Sequence, residues 1–120
     1  MSTPRQKPAA QPVQVLAKAT LRAAARMGLS RDELARIIGR NRSSISRSGI
    51  DPDTKSGELA LLLVRCYRSL AVLVDDNAGQ IRQWLETPNR HTGGVPREQI
   101  REVQGLVTVT AYLDAIRGKL

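Results

Sequence analysis

Apolar residues recur along the chain at intervals of three and four, in stretches closed by glycine, proline or an Asp/Asn cluster. That period predicts helices rather than strands. Val13, Leu16, Ala17, Leu21, Ala24 and Met27 form the first stripe, over 13–27, and Gly28 ends it. Leu34, Ile37 and Ile38 form a shorter one between Ser30 and Gly39. Ser30 and Glu33 have the spacing of a capping box, in which each side chain satisfies the other's orphaned backbone amide. Asn41 is placed to cap a third helix, whose one large apolar residue is Ile45. Gly49, Asp51-Pro52 and Asp53 break the pattern. The longest stripe follows, with Ser56 as its expected cap: Leu59, Leu62, Leu63, Cys66, Leu70 and Leu73. Asp75-Asp76-Asn77 interrupts again, and Asn77 is expected to cap a short helix carrying Ile81, Trp84 and Leu85. Residues 87–96 are dense in turn formers. Pro96 suits the first position of a new helix, expected to run through Ile100 and Val103 to Gly105. A last helix carries Leu106, Val109, Leu113 and Ile116. Residues 106–110 are rich in branched side chains, but their context is helical. The fold class is all-α.

Residues 29–50 therefore read as two short helices joined by a tight turn at Gly39, a helix-turn-helix. Around the single inward anchor Ile45 sit Arg42, Ser43, Ser44, Ser46 and Arg47, a polar and cationic surface that suits the major groove of duplex DNA. The candidate DNA contacts are Arg40, Arg42, Ser43, Ser44 and Arg47, the arginines for phosphate or guanine and the serines to set register. An ordinary helical hairpin with a solvated basic face would show the same periodicity, so the charge distribution decides. Residues 1–50 hold 10 Lys and Arg against 2 Asp and Glu, and residues 51–120 hold 9 of each. The net +8 of the chain therefore lies wholly in the half with the motif, as a polyanion partner requires. Lys18 and Arg22 in the first helix read as a solvated face. Residues 1–12, with Pro4, Pro8, Pro12, Arg5 and Lys7, read as a disordered basic tail.

One Trp, two Tyr and no Phe are too few for a platform on which single-stranded bases stack. The single cysteine, Cys66, permits no internal disulfide and reads as a buried structural thiol. No apolar run approaches the ~18 residues of a membrane span, and nothing resembles a signal peptide. The expected location is the cytoplasm, on the nucleoid when DNA is bound. His91, the only histidine, has no cysteine or carboxylate cluster beside it, so no metal site is expected. No glycine-rich phosphate loop follows a strand, and no serine or cysteine has a base partner. The expectation is a binding protein without cofactor, not an enzyme.

The second half adds a resemblance. Trp84-Leu85-Glu86-Thr87-Pro88-Asn89, then Gly93-Gly94, Pro96 and Glu98, then Gly105-Leu106 and Tyr112-Leu113 resemble the toxin-binding domain of the Xre/MbcA/ParS antitoxins. The stretch from Leu62 to Leu73, with Tyr67-Arg68, is similar to that family's segment as well, and the likeness extends over roughly residues 13–120. The resemblance implies a bacterial type II toxin–antitoxin system. In it the antitoxin is dimeric, binds a RES-domain toxin that consumes NAD⁺ by covering or entering its cleft, and represses its own operon. It divides the chain into a tail (1–12), a DNA-binding domain (13–55) and a toxin-binding domain (56–120). Tyr112, Arg117, Lys119 and Leu120 become the candidate toxin contacts. Trp84 and Leu85 are expected in the core, and Pro88, Asn89, Gly93 and Gly94 in a loop of fixed shape. The third helix departs from many Xre-like motifs, since it ends at Ser48-Gly49 without the aromatic residue they place there. Two rivals stand beside this reading: a free-standing repressor with no toxin, and an inhibitor whose helix-turn-helix does not read DNA.

Overall fold

A computed structural model describes residues 11–119. Among them seven helices and one isolated backbone bridge make an all-α fold. Helix α1, Pro12–Met27, begins one residue before the first apolar position of its stripe, because Pro12 serves as the first helical residue. Its fixed φ suits that place, and its missing N–H would have had no partner there. The rest of the expected tail, residues 1–10, lies outside the described residues. At the other end Leu29 N donates to Ala24 O and Gly28 N to Ala25 O, the paired bonds that close a helix at glycine.

Helices α2 (Arg31–Ile38) and α3 (Arg42–Ser48) follow as expected. The capping box at Ser30 and Glu33 is complete, with bonds of 3.0 and 3.1 Å. Helix α4, Lys55–Leu73, is the spine of the molecule and packs on α1 from one side and α7 from the other. The expected cap Ser56 is corrected to Thr54, whose hydroxyl accepts from Gly57 N at 3.0 Å. A Cβ on Gly57 would meet Asp51 O at 2.1 Å, so the preceding loop folds directly over the first turn of α4 and leaves the cap two residues earlier. Beyond α4, Asp75 and Asp76 adopt left-handed φ values of 53° and 52°, a conformation that aspartate tolerates better than most residues. Asp76 is held there by the Tyr67 hydroxyl at 2.7 Å and by Arg26 at 3.2 Å.

Helix α5, Ala78–Glu86, buries Ile81 and Leu85 and is capped by Asn77 as expected. The helix expected from Pro96 to Gly105 is corrected. Helix α6 is a single turn, Pro96–Gln99, and α7 already starts at Val103 and runs to Arg117. Gly105, read as a terminator, lies in the first turn of α7. A Cβ there would fall 1.9 Å from Gln99 O, so its missing side chain is what lets the end of α6 lie against α7. One apolar core unites α1 to α5, α7 and Ile100. Of its polar members, Thr20 donates to Leu16 O at 2.7 Å and Ser69 to Asp114 at 2.6 Å, whereas the buried Thr110 hydroxyl has no hydrogen-bond partner among the described residues. Cys66 is fully buried, and burial pushes its thiol up to about 12.

Candidate functional site

The helix-turn-helix is held from both ends. Asn41 accepts from Ser44 N at 2.8 Å and starts α3, and Ile45 is wholly buried beneath it. At the far end Gly49 takes φ 71°, and Ile50 N donates to Val13 O at 2.9 Å. A Cβ at Gly49 would meet that same carbonyl at 2.6 Å, so glycine is required for α3 to dock on the start of α1. With Ile45 inward, Arg42, Ser43, Ser46 and Arg47 face solvent.

Arg40 is placed differently from its neighbours. Its guanidinium donates to Ser44 Oγ at 2.7 Å, Ser44 O at 2.9 Å and Gly49 O at 2.5 Å. It thus straps the turn to both ends of α3, and Ser44, half-buried, receives it. Of the five candidate DNA contacts, the structure brings Arg42, Ser43 and Arg47 to one open face and ties Arg40 and Ser44 to the protein.

The open face is wider than α3. Arg31, at the start of α2, shares a shallow depression with Arg42, Ser43, Ser46 and Arg47. Gln14 and Lys18 of α1 line an adjoining one with Ser46 and Arg47. Lys18, Arg31, Arg42 and Arg47 have no ion-pair partner among the described residues, whereas Arg26 is paired with Asp76 and Arg36 with Glu102. Four cations left unneutralised on one face create the local field that draws a polyanion. Lys18, read from sequence as a solvated face, acquires this neighbourhood only through the docking of α3 on α1. Arg31 was missed because nothing in its spacing announces Arg42 across the turn.

In the second half of the chain, the loop after α5 is closed by its own hydrogen bonds. Asn89 Oδ1 accepts from His91 N at 2.8 Å and Thr92 N at 3.1 Å, and Asn89 N donates to Gly94 O at 2.8 Å. Gln99 completes the clamp on Thr92 O at 2.5 Å. The loop thereby sets His91 against Tyr112, their ring centroids 5.3 Å apart, while Trp84 stacks on Tyr112 at 6.4 Å. Trp84 is half-buried against the core and Leu85 is fully buried. Tyr112 and Arg117 do not share a face: five residues apart on one helix, they differ by about 140°. Arg117 instead lines a cleft with Tyr67, Arg68, Val72, Asp75 and Asp76. Lys119 is exposed beyond the end of α7, and Leu120 lies outside the described residues.

Two family models match the chain. Residues 9–65 match the antitoxin Xre-like helix-turn-helix domain, and residues 69–119 match the antitoxin Xre/MbcA/ParS C-terminal toxin-binding domain. The chain belongs to the Xre/MbcA/ParS antitoxin family. It is thus an antitoxin of a toxin–antitoxin system, with a DNA-binding and a toxin-binding domain. No curated protein matches it. Among the described residues no helix is long and apolar enough to cross a membrane, and no group of three or more His, Cys, Asp or Glu is arranged to hold a metal ion.

In this antitoxin the two matched regions meet inside α4, so a continuous helix joins them in place of a linker. A second tie is polar. Arg97 of α6 grips Glu33 of α2 through Nε at 3.0 Å and Nη2 at 2.7 Å, a two-pronged carboxylate contact. It also donates to Gly28 O at 2.8 Å and to Glu86 at 3.0 Å, and Arg101 adds a bond to Glu33 at 3.2 Å. Arg97 first, then the Ser30 amide and Arg101, hold the Glu33 carboxyl down at about 2 against the opposing cost of burial. The capping-box glutamate of the DNA-reading motif is therefore also the post on which the toxin-binding lobe is fastened.

Proposed function

We propose that this antitoxin neutralises a RES-domain toxin, an enzyme that consumes NAD⁺, and represses its own operon as a homodimer bound to double-stranded operator DNA. It has no catalytic role and needs no cofactor. It works in the cytoplasm, at the nucleoid when bound to its operator. The observation that carries the DNA half is the segregation of Lys18, Arg31, Arg42 and Arg47, unpaired, around the exposed side of α3. Arg42 and Arg47 reach guanine or phosphate, Ser43 sets register, and Lys18 and Arg31 hold the backbone on either side. Arg40 and Ser44 serve by fixing the orientation of α3. A seven-residue helix offers few base contacts, so a two-fold pair reading half-sites about one helical turn apart fits it. The toxin half rests on residues 56–120, with Tyr112, Arg117, Lys119 and Leu120 as contacts.

The test is a pull-down of the tagged protein from its own host at moderate salt, with mass spectrometry of what accompanies it. A stoichiometric partner that depletes NAD⁺ once freed supports the proposal. DNA fragments with no protein partner would favour a free-standing repressor, and toxin neutralisation without an operator shift would favour an inhibitor that no longer reads DNA.

A further inference from the structure

We propose that the outer face of α7, made by Val103, Val107, Ala111 and Ala115, is the surface on which the toxin seats. The proposal rests on the antitoxin reading and assigns it a surface. Helix α7 buries Leu106, Val109, Thr110 and Leu113 on its inner side. A helix with one side in the core normally presents charge on the other. This one does not. Val103 and Val107 are 50% and 44% exposed, Ala111 and Ala115 are exposed too, and no charged residue occurs from Val103 to Leu113. The first charge, Asp114, is spent within the fold on Arg65 Nε at 2.7 Å and Ser69 Oγ at 2.6 Å. In a chain that is 25% charged, an uncharged outer face of this length belongs to a helix built to be covered.

The occupant follows from where the helix lies. All of α7 falls inside the region matched by the toxin-binding domain, and none of it in the helix-turn-helix match. The face has no charge to complement, and its polar members, the exposed Gln104 and the half-exposed Thr108, are neutral, so the toxin meets it with an uncharged surface of its own. A helix of 15 residues is about 22 Å long, so its face alone covers far less than the ~800 Å² per partner of a standard interface. Tyr112, stacked with His91 and Trp84 on the flank, extends the contact beyond the helix.

The test uses the full-length antitoxin and the purified RES-domain toxin encoded in the same operon, with binding measured by calorimetry. Val107→Glu and, independently, Ala111→Glu place a carboxylate in the face at positions already exposed in the free protein. Each is expected to weaken toxin binding about tenfold or more by burying an unpaired charge, while melting temperature and operator binding stay unchanged. Wild-type protein that binds, with both variants binding within about twofold of it, overturns the surface and leaves the antitoxin reading standing. Wild-type protein that does not bind the toxin overturns both. Variants that lose self-association but keep toxin binding assign the face to a second copy of the chain, and that result overturns the proposal as well.

Discussion

Replacing Glu33 by Gln separates the two duties of that side chain. Gln at the third helical position still offers an oxygen to the Ser30 amide, so the capping box survives and only the charge is lost. The Glu33 carboxyl sits at about 2 in the fold against an ordinary 4.5, with the Arg97 bonds as the largest cause. At ~1.36 kcal/mol per pH unit that displacement amounts to about 3 kcal/mol at neutral pH. Its carboxylate is 12% exposed and Arg97 23%, so solvent screens the pair only partly. The Arg101 bond is weaker, since that side chain is 39% exposed, which sets the expected loss at about 2–3 kcal/mol. At this chain length the melting temperature should fall by about 8–12 °C. Because the folded carboxyl is more acidic than the unfolded one, the stabilisation is fully present above about pH 4.5 and drains away as pH falls toward 2. Thermal melts of wild type and Glu33→Gln, paired at each pH from 7 to 3, cancel the titration of every other group. The gap between them should shrink to less than half by pH 3. A gap under about 0.5 kcal/mol at pH 7, or one that stays constant down to pH 3, would refute the role assigned to this ion pair.

Arg42→Ala and Arg47→Ala should each cost ~1–3 kcal/mol of operator affinity if they read a base, seen in gel-shift titrations without loss of melting temperature. Lys18→Ala should instead lower the salt slope of binding by about one without changing sequence preference. Arg40→Ala should act first on stability, since its bonds go to Ser44 and Gly49; an unchanged melt with weakened DNA binding would return it to the reading face. Gly105→Ala forces a methyl into contact with Gln99 O at 1.9 Å and should cost about 3 kcal/mol or more in urea titrations. Cys66, buried and raised to about 12, should resist thiol reagents in the native protein and react only on unfolding.

Much of this architecture was legible in the linear sequence because its causes are local. The stripes at three and four residues located the helical segments. The capping box at Ser30 and Glu33, Asn41 before α3 and Asn77 before α5 formed as their side-chain chemistry requires, since a cap involves only residues within one turn. The errors came where the chain just before a helix folded back against its first turn, beyond the reach of a cap's local chemistry. Thr54 rather than Ser56 caps α4 because the loop from Asp51 lies against Gly57. Gly105 looked like a helix end because, in sequence, glycine announces flexibility; here it records the approach of a carbonyl six residues earlier. For the site the division is the same. Arg42, Ser43 and Arg47 were legible as the polar side of a helix with a single anchor. The engagement of Arg40, the recruitment of Lys18 and Arg31, and the stacking of His91 on Tyr112 were not.

Sequence alone therefore determined most of the helices, the caps at Ser30, Asn41 and Asn77, the concentration of positive charge in the first fifty residues and the likeness to an antitoxin family, all properties of neighbouring side chains or of their order. Only the tertiary structure decided which cations remain unpaired on one face and that Arg97 reaches across 64 positions to Glu33. It also decided which of the two uncharged sides of α7 is buried and which points outward. These depend on how helices dock, and a docking angle arises from the summed packing of many side chains, a quantity that no single spacing along the chain records.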